Sequence, residues 1–491
     1  MKPDNLSSNL SSIQFSLKEL KYENRYEKLQ FFESFIADTI TDLKKAAPRF
    51  ELGIKDLQSS ALPLGHAADR EMIQSHNDLT SSASHSVLII CNGHGEDVIA
   101  LEIIKRFLKK IKIKKVEVMP LVGNGKIFDC IKSKNFSKIG YLKELPSGGF
   151  SNQSIKGFLL DFFAGFLVDA FKNFLLVRGK SKDNYKIIAV GDLLPLFFAW
   201  ISKCEFSFVG MPKSDHTWSN GPGWALSDFY HKLKGSEWDP WEIFLMRSPR
   251  CKSLIMRDEI TANNLNKKKI SAKYFGNPMM DFVDTKNENI SNIIMFNRLI
   301  LIIGSRFPEA LNNLDIFLKC LEDLKISNDL IILLPLSINA NVFTIKRHLS
   351  NNGYLEEKNV NFLVGEDSVW KNKDKYILLG KSTFNQWANM ACVGLSNAGT
   401  ATEQITGLGI PSISIPGAGP QFTKSFAKRQ SRLLGGSVLV CDNKKTLIDN
   451  LEVLLNKKDY RVKQVKIGMK RMGKRGASKK IVDHINLNLL T

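Results

Sequence analysis

A chain of 491 residues, 43% hydrophobic and 24% charged, is long enough for two or three domains and has the balance of a globular protein. Its 69 Lys and Arg against 49 Asp and Glu give a formal net charge of +20, which suits an anionic membrane surface or a phosphorylated substrate. Nucleic acid fits less well: no helix-turn-helix, zinc-finger or RNA-binding signature is present, and the basic stretch 463–480 has no aromatic residue for base stacking.

The seven cysteines are dispersed with no CxxC pair, which argues for a reducing cytosol and against a disulfide framework or a metal site. No stretch has the length of an uncharged membrane span, and the N-terminus lacks the apolar core of a secretory signal.

In chain order, residues 1–85 come first and are polar and irregular, with one candidate helix, ENRYEKLQFFESFIADTITDLKK. Within them AAPRFELGIKDLQSSALPLGHAA (46–68) follows neither helical nor strand periodicity. It resembles translation of the antisense strand of a transfer-RNA gene, so the biological start is expected near Met72 and no function is assigned before residue 85.

From Ser86 the pattern turns regular. SVLIICNGHGEDVIALEIIKRFLKK reads as strand, Gly-rich turn and helix, and KVEVMPLVG (115–123) as the next strand. KIIAVGDLLPLFFAWISKCEFSFVG (186–210) reads as strand–helix–strand, and SLIMRDEITANNL (253–265) as strand then helix. The polar stretch after KYFGNPMMDF closes this first half, residues 86–285. A second alternating set follows in 286–491: LILIIGSR (299–306), a helix, DLIILLPLS (329–337), a longer irregular stretch, YILLGKS (376–382), then ACVGLSNAGTATEQITGLGI (391–410), SISIPG (412–417) and SVLVCD (437–442). Strands alternating with helices predict an α/β fold with two Rossmann-like domains facing a cleft, the GT-B architecture, with ligands at the carboxyl ends of the strands.

Three loops of the second half carry the predicted chemistry. GSR (304–306) follows a strand and opens a helix, so Arg306 is placed to pair with a diphosphate. SNAGTATE offers free N–H groups at a helix N-terminus, the Thr400 and Thr402 hydroxyls, and Glu403 as an acceptor for ribose hydroxyls. PGAGPQ puts the Gln421 amide after a Gly-rich turn, where it can bind sugar hydroxyls. In the first half the turn NGHGED and Asp192 supply acids and an imidazole.

These motifs, together with LPSGGF (145–150), AVGDLLPLFFAW (189–200), FVGMPKSD (208–215), RDEITANNL (257–265), GNPMMD (276–281) and GSRFPEA (304–310), resemble the lipid-A-disaccharide synthase family, above all a related cyanobacterial group. The resemblance spans about residues 86–480. It implies a UDP-sugar donor in the second half, a lipid or glycolipid acceptor in the first, and no cofactor, metal or nucleic acid.

Carried over residue by residue, Gly304, Ser305 and Arg306 match the phosphate loop, and Gly399, Thr400 and Thr402 the diphosphate turn. Glu403 matches the ribose contact and Gln421 a donor-sugar contact. Gly93, Gly95 and Glu96 fall on the acceptor side. The base that deprotonates the attacking hydroxyl is left among His94, Glu96, Asp97 and Asp192, with Asp215 and His216 a weaker cluster. The acceptor side departs further from the family: Leu196 stands where the synthases usually carry a second acid, and MPKSDHTW replaces their WAW-type loop.

The Phe/Leu-rich stretch 155–180 holds Asp161 and Asp169 and is too charged to span a bilayer. It reads either as an interfacial helix serving a lipid acceptor or as a buried helix of the fold. The expectation as a whole is a cytoplasmic glycosyltransferase held peripherally at the inner membrane. Transfer to another glycolipid acceptor, a UDP-sugar 2-epimerase and a non-catalytic sugar-nucleotide binder are the alternatives.

Overall fold

The computed structural model describes residues 85–490, apart from 94, 111–112, 141–165, 284–290, 305–306, 327–328, 338–339, 359, 361, 363–364 and 418–421. The first half lays down β1 (Ser86–Cys91), α1 (Gly95–Lys110), β2 (Lys115–Pro120), β3 (Phe136–Lys138), α2 (Phe166–Gly179), β4 (Tyr185–Gly191) and α3 (Leu193–Ile201). It continues through β5 (Phe206–Gly210), α4 (Leu226–Lys234), α5 (Pro240–Met246), β6 (Cys251–Met256), α6 (Glu259–Lys267) and β7 (Ala272–Lys273). Its seven strands lie in the order β3-β2-β1-β4-β5-β6-β7, and every pair is parallel. The strand order reverses between β1 and β4, so a crevice opens at their carboxyl ends. Gly93–Asp97 and Asp192 follow those two strands.

The second half repeats the scheme with β8 (Asn297–Ile302), α7 (Glu309–Glu322), β9 (Leu330–Leu336), α8 (Val342–Asn351), β10 (Leu355–Glu357), β11 (Ser368–Asn372), β12 (Lys375–Lys381) and β13 (Val393–Ser396). Then come α9 (Thr400–Gly407), β14 (Ser412–Ser414), α10 (Lys424–Leu433), β15 (Val438–Val440), α11 (Lys444–Asn456), α12 (Lys458–Met472) and α13 (Ala477–Ile485). The sheet order is β10-β11-β12-β9-β8-β13-β14-β15. Its reversal falls between β8 and β13, the strands that carry GSR and SNAGTATE.

The two α/β halves expected from the alternation are both present. One part of the second sheet was not foreseen. The stretch read as irregular contains β10 and β11, which pair antiparallel at the sheet edge. They are short, and only Val369 and Trp370 of β11 are buried, so no apolar run announces them.

Both faces of the second sheet are covered, as a parallel sheet requires. Leu299 and Leu301 of β8 enter one apolar cluster, while Ile300 and Ile302 enter another. This is why these strands read as unbroken apolar runs rather than alternating ones. The chain then returns to the first half. Ala477, Ile481, Val482 and Ile485 of α13 pack in the same cluster as Ile99 and Ile103 of α1. Asp281 holds that return: its carboxylate accepts from Gly476 N at 2.5 Å and Ser478 N at 2.6 Å, at the N-terminus of α13.

Of the segment 155–180, residues 155–165 lie outside the described residues. The remainder forms α2, which buries Asn173, Phe174 and Val177 and exposes Leu175. No helix among the described residues is long and apolar enough to cross a membrane.

Candidate active site

The first turn of α1 and the first turn of α9 face one another across the halves. A Cβ built on Gly95 would lie 3.6 Å from the Thr400 hydroxyl oxygen. The turn before α1 is tight: Gly93 has φ +107°, and a Cβ there would stand 2.5 Å from the Val122 carbonyl oxygen. Glycine is required at that position by both conformation and space. His94 lies outside the described residues.

Glu96 and Asp97, in the first turn of α1, are both buried. Burial, and then the Asp192 carboxylate, push Glu96 up to about 8. Burial pushes Asp97 up to about 7. Asp97 Oδ1 finds no hydrogen-bond partner among the described residues. At neutral pH Glu96 therefore keeps its proton and can donate, while Asp97 is poised to gain or lose one. Asp192 caps α3, accepting from Leu194 N at 3.2 Å. Leu196, one turn further, is fully buried in place of a second acid.

A residue without an assigned role in the sequence reading occupies the middle of this arrangement. Arg257 follows β6 and is buried, donating to the Met211 carbonyl at 3.1 Å and to Glu403 Oε2 at 2.7 Å. Burial alone would lower its pKa, but the Glu403 and Asp258 carboxylates outweigh that and hold the guanidinium charged. The motif RDEITANNL contained Arg257, yet nothing local marked it as the partner of a carboxylate 146 residues away. Beside this pair, Gln404 Nε2 donates to the Met279 carbonyl at 3.1 Å, a second link between the halves.

The three loops of the second half are tied together by amides. Asn397 Nδ2 donates to Asn313 Oδ1 at 3.0 Å and to the Ile415 carbonyl at 2.8 Å, and Asn397 Oδ1 accepts from Ile415 N at 3.2 Å. Asn313 in turn donates to the Ile303 carbonyl at 3.0 Å. Gly304, with φ +89°, leaves 3.4 Å between a built Cβ and the Asn397 carbonyl oxygen. Glu309 Oε1 accepts from Phe422 N at 2.9 Å, fixing the far end of the third loop. Ser305, Arg306 and Gln421 lie outside the described residues.

Within SNAGTATE the residues divide. Gly399 is the N-cap of α9, and Thr400 opens the helix toward Gly95. The Gly399 carbonyl accepts from Gln430 Nε2 at 3.0 Å and the Ala398 carbonyl from the same nitrogen at 3.1 Å, so α10 braces the turn. Thr402 points the other way. Its hydroxyl bonds Ser396 Oγ at 2.6 Å and the Ala398 carbonyl, and the residue is fully buried. Asp215 is not grouped with the cleft acids: its carboxylate accepts from Glu237 N at 2.6 Å, Asn264 Nδ2 at 2.8 Å and Trp218 Nε1 at 3.2 Å. Burial lifts it to about 6, and this set of bonds makes it the anchor of the loop between β5 and α4.

No protein-family model matches the chain, and no curated protein matches it by sequence. Solved structures do. One, a candidate UDP-N-acetylglucosamine 2-epimerase from Listeria monocytogenes, is 12% identical with a TM-score of 0.50, covering 82% of this chain and 95% of that one. The UDP-GlcNAc 2-epimerase from Neisseria meningitidis bound to UDP-GlcNAc is 16% identical at TM-score 0.46, covering 82% and 100%. Acinetobacter baumannii MurG is 10% identical at TM-score 0.48, covering 82% and 99%. The likeness to the first of these, at 12% identity and a TM-score of 0.50, bears on the fold and leaves the reaction open. The fold is GT-B, two Rossmann-like domains facing a cleft.

Proposed function

We propose that the protein transfers a sugar from a UDP-sugar to a lipid-linked acceptor, in the manner of lipid-A-disaccharide synthases: UDP-diacylglucosamine and diacylglucosamine 1-phosphate yield the disaccharide and UDP. The observation that carries the reading is the meeting of two chemistries at the facing first turns of α1 and α9. On one side lie the helix-terminal N–H groups of α9, which take no side-chain cap from Gly399, with the Thr400 hydroxyl; on the other lie two buried carboxyls with raised pKa values.

In this reading the diphosphate rests on the Gly399–Thr400 turn, where helix-terminal N–H groups stabilise the charge developing on the departing UDP. Gly304, Ser305 and Arg306 close on the same diphosphate. Arg257 holds Glu403 by Oε2, which aims the carboxylate so that its other oxygen accepts from ribose. Asp97 takes the proton of the attacking hydroxyl, since a base with a pKa near 7 is half ionised at working pH. Glu96, protonated, orients the acceptor by donating to it. Gln421 contacts the donor sugar.

The experiment is UDP release from UDP-diacylglucosamine with and without diacylglucosamine 1-phosphate. Release that requires the acceptor supports the transferase. Buried acids paired in one cleft also suit proton removal and return at a sugar carbon, so a 2-epimerase is the second reading. Acceptor-independent interconversion of UDP-N-acetylglucosamine and its 2-epimer would replace the transferase by that reading. UDP binding without either turnover would leave a sugar-nucleotide binder.

A further inference from the structure

Helix α4 is built inside out. Its buried positions are polar, Asp228 and His231, whereas Leu226, Phe229 and Leu233 stand 81%, 68% and 79% exposed. Tyr230 is also exposed, and Trp224, just ahead of the helix, is 68% exposed. An ordinary surface helix presents the opposite arrangement.

The inversion is fixed by ion pairs and hydrogen bonds, with His231 held neutral because burial lowers its pKa. Asp228 Oδ1 lies 3.6 Å from Arg432 Nη2, and Asp228 Oδ2 accepts from Ala225 N at 2.7 Å. His231 Nε2 lies 3.7 Å from Glu237 Oε2. Lys234 donates to the Glu237 carbonyl at 3.1 Å and pairs with Asp239. Rolling the helix to hide its apolar face would break its contacts with Arg432, Glu237 and Asp239, so that face stays outward.

The C-terminal end of the face is cationic, and Asp239 beside Tyr230 is paired with Lys213 and Lys234. Lys232 is exposed on the helix itself. Lys268 donates to the Lys234 carbonyl, and the exposed Arg247 donates to the Lys268 carbonyl at 3.0 Å, so the end of α4 meets the turn that carries the exposed Lys267 and Lys269 on either side of Lys268. Trp and Tyr among aliphatic residues, beside a rim of cations, match the chemistry of an anionic lipid headgroup layer. A nine-residue helix is far too short to span a bilayer.

We propose that α4 lies flat in the headgroup region of an anionic bilayer, with Trp224, Leu226, Phe229 and Leu233 inserted and Lys232, Arg247, Lys267 and Lys269 over lipid phosphates. The surface stands independently of the reaction, because membrane binding is read without turnover. It also assigns the interfacial role to a segment other than 155–180.

The test sediments the full chain with phosphatidylcholine–phosphatidylglycerol vesicles and with pure phosphatidylcholine vesicles. Binding to the mixed vesicles, weakened by salt, is expected. Phe229→Ser with Leu233→Ser should reduce it by about tenfold or more, and Lys267→Glu with Lys269→Glu should remove most of the preference for the anionic lipid. Circular-dichroism melting of both variants should match the unmutated chain; Leu226→Asn serves as an independent variant should the double serine melt lower. Unchanged binding of the serine variants overturns the proposal. So does absence of vesicle binding, whether the chain is monomeric or forms a dimer in sedimentation velocity that the serine substitutions dissociate. In the latter case the face is a contact between copies.

Discussion

Across the cleft, the second half positions its loops with neutral amides, Asn313 and Asn397, and a braced helix N-terminus. The first half instead places ionisable groups, Glu96 and Asp97, where water cannot solvate them. An amide network has the same charge state at every pH, so the loops it ties keep one register across pH. The first half changes its proton content with pH and with whatever fills the cleft. Arg257 with Glu403 is a buried ion pair that joins the two kinds of site, with the Gln404–Met279 bond beside it.

Breaking that pair gives the largest expected effect. Arg257→Met leaves the Glu403 carboxylate buried without its partner, and loss of about 3–5 kcal/mol is expected in urea unfolding. Adding Glu403→Gln removes the stranded charge and should recover more than half of the loss. If the double variant is as unstable as the sum of the single ones, the pair does not couple the halves.

Titration of the first half comes next. Glu96 has an ordinary value of 4.5 and is held at about 8 in the folded chain. Below the ordinary value both folded and unfolded chains are protonated, and the group contributes nothing to pH dependence. Between there and about 8 the folded chain keeps a proton that the unfolded chain releases. Stability therefore falls as pH rises through this window and levels off above it. Asp97 acts in the same direction between its ordinary 3.8 and about 7. Glu96→Gln should flatten the slope and leave the variant about 2–4 kcal/mol more stable than the unmutated chain at the alkaline end. A parallel pair of stability–pH curves would show that Glu96 ionises normally.

How much of this was legible beforehand follows from the range of each signal. The strands were legible because a parallel sheet buried on both faces leaves apolar runs such as LILII and DLIILL. That Gly304, Gly399 and Thr400 sit at strand–helix turns was legible because small residues after an apolar run mark such turns; that they hold a diphosphate is part of the proposed function. The antiparallel edge pair β10–β11 was not, because few of its residues are buried. Arg257 was not, because its partner lies in the other half. Asn397 sat inside the quoted motif SNAGTATE, yet an asparagine in a turn reads as local turn chemistry, and its link to Asn313 depends on the sheet order. Nor did the sequence separate Thr400 from Thr402. Which hydroxyl faces the cleft depends on where the helix begins.

Asn397 sharpens the contrast from the second half. Asn397→Ala removes its three side-chain bonds and leaves the buried Ile415 N–H and carbonyl unpaired. A stability loss of about 1–3 kcal/mol is expected. Because the bonds register three loops at once, UDP affinity by calorimetry should fall by about tenfold or more. Full UDP stabilisation in the melting of this variant would mean that the network supports the fold alone.

The smallest effects separate the two threonines, and they must move in opposite measurements. Thr400 opens α9 and faces Gly95, so Thr400→Val removes a hydroxyl from the facing turns and no hydrogen bond among the described residues. Its melting temperature should stay within a degree or so of the unmutated chain, while UDP affinity drops by about three- to tenfold, the worth of one hydrogen bond to a charged group. Thr402 spends its hydroxyl on Ser396 and the Ala398 carbonyl. Thr402→Val is close in volume but leaves the Ser396 hydroxyl without that partner, so a loss of about 1 kcal/mol and unchanged UDP affinity are expected. The reverse pattern, with Thr402→Val weakening UDP and Thr400→Val silent, would place the phosphate on the other face of the turn. The facing first turns of α1 and α9 would then not be where the nucleotide binds.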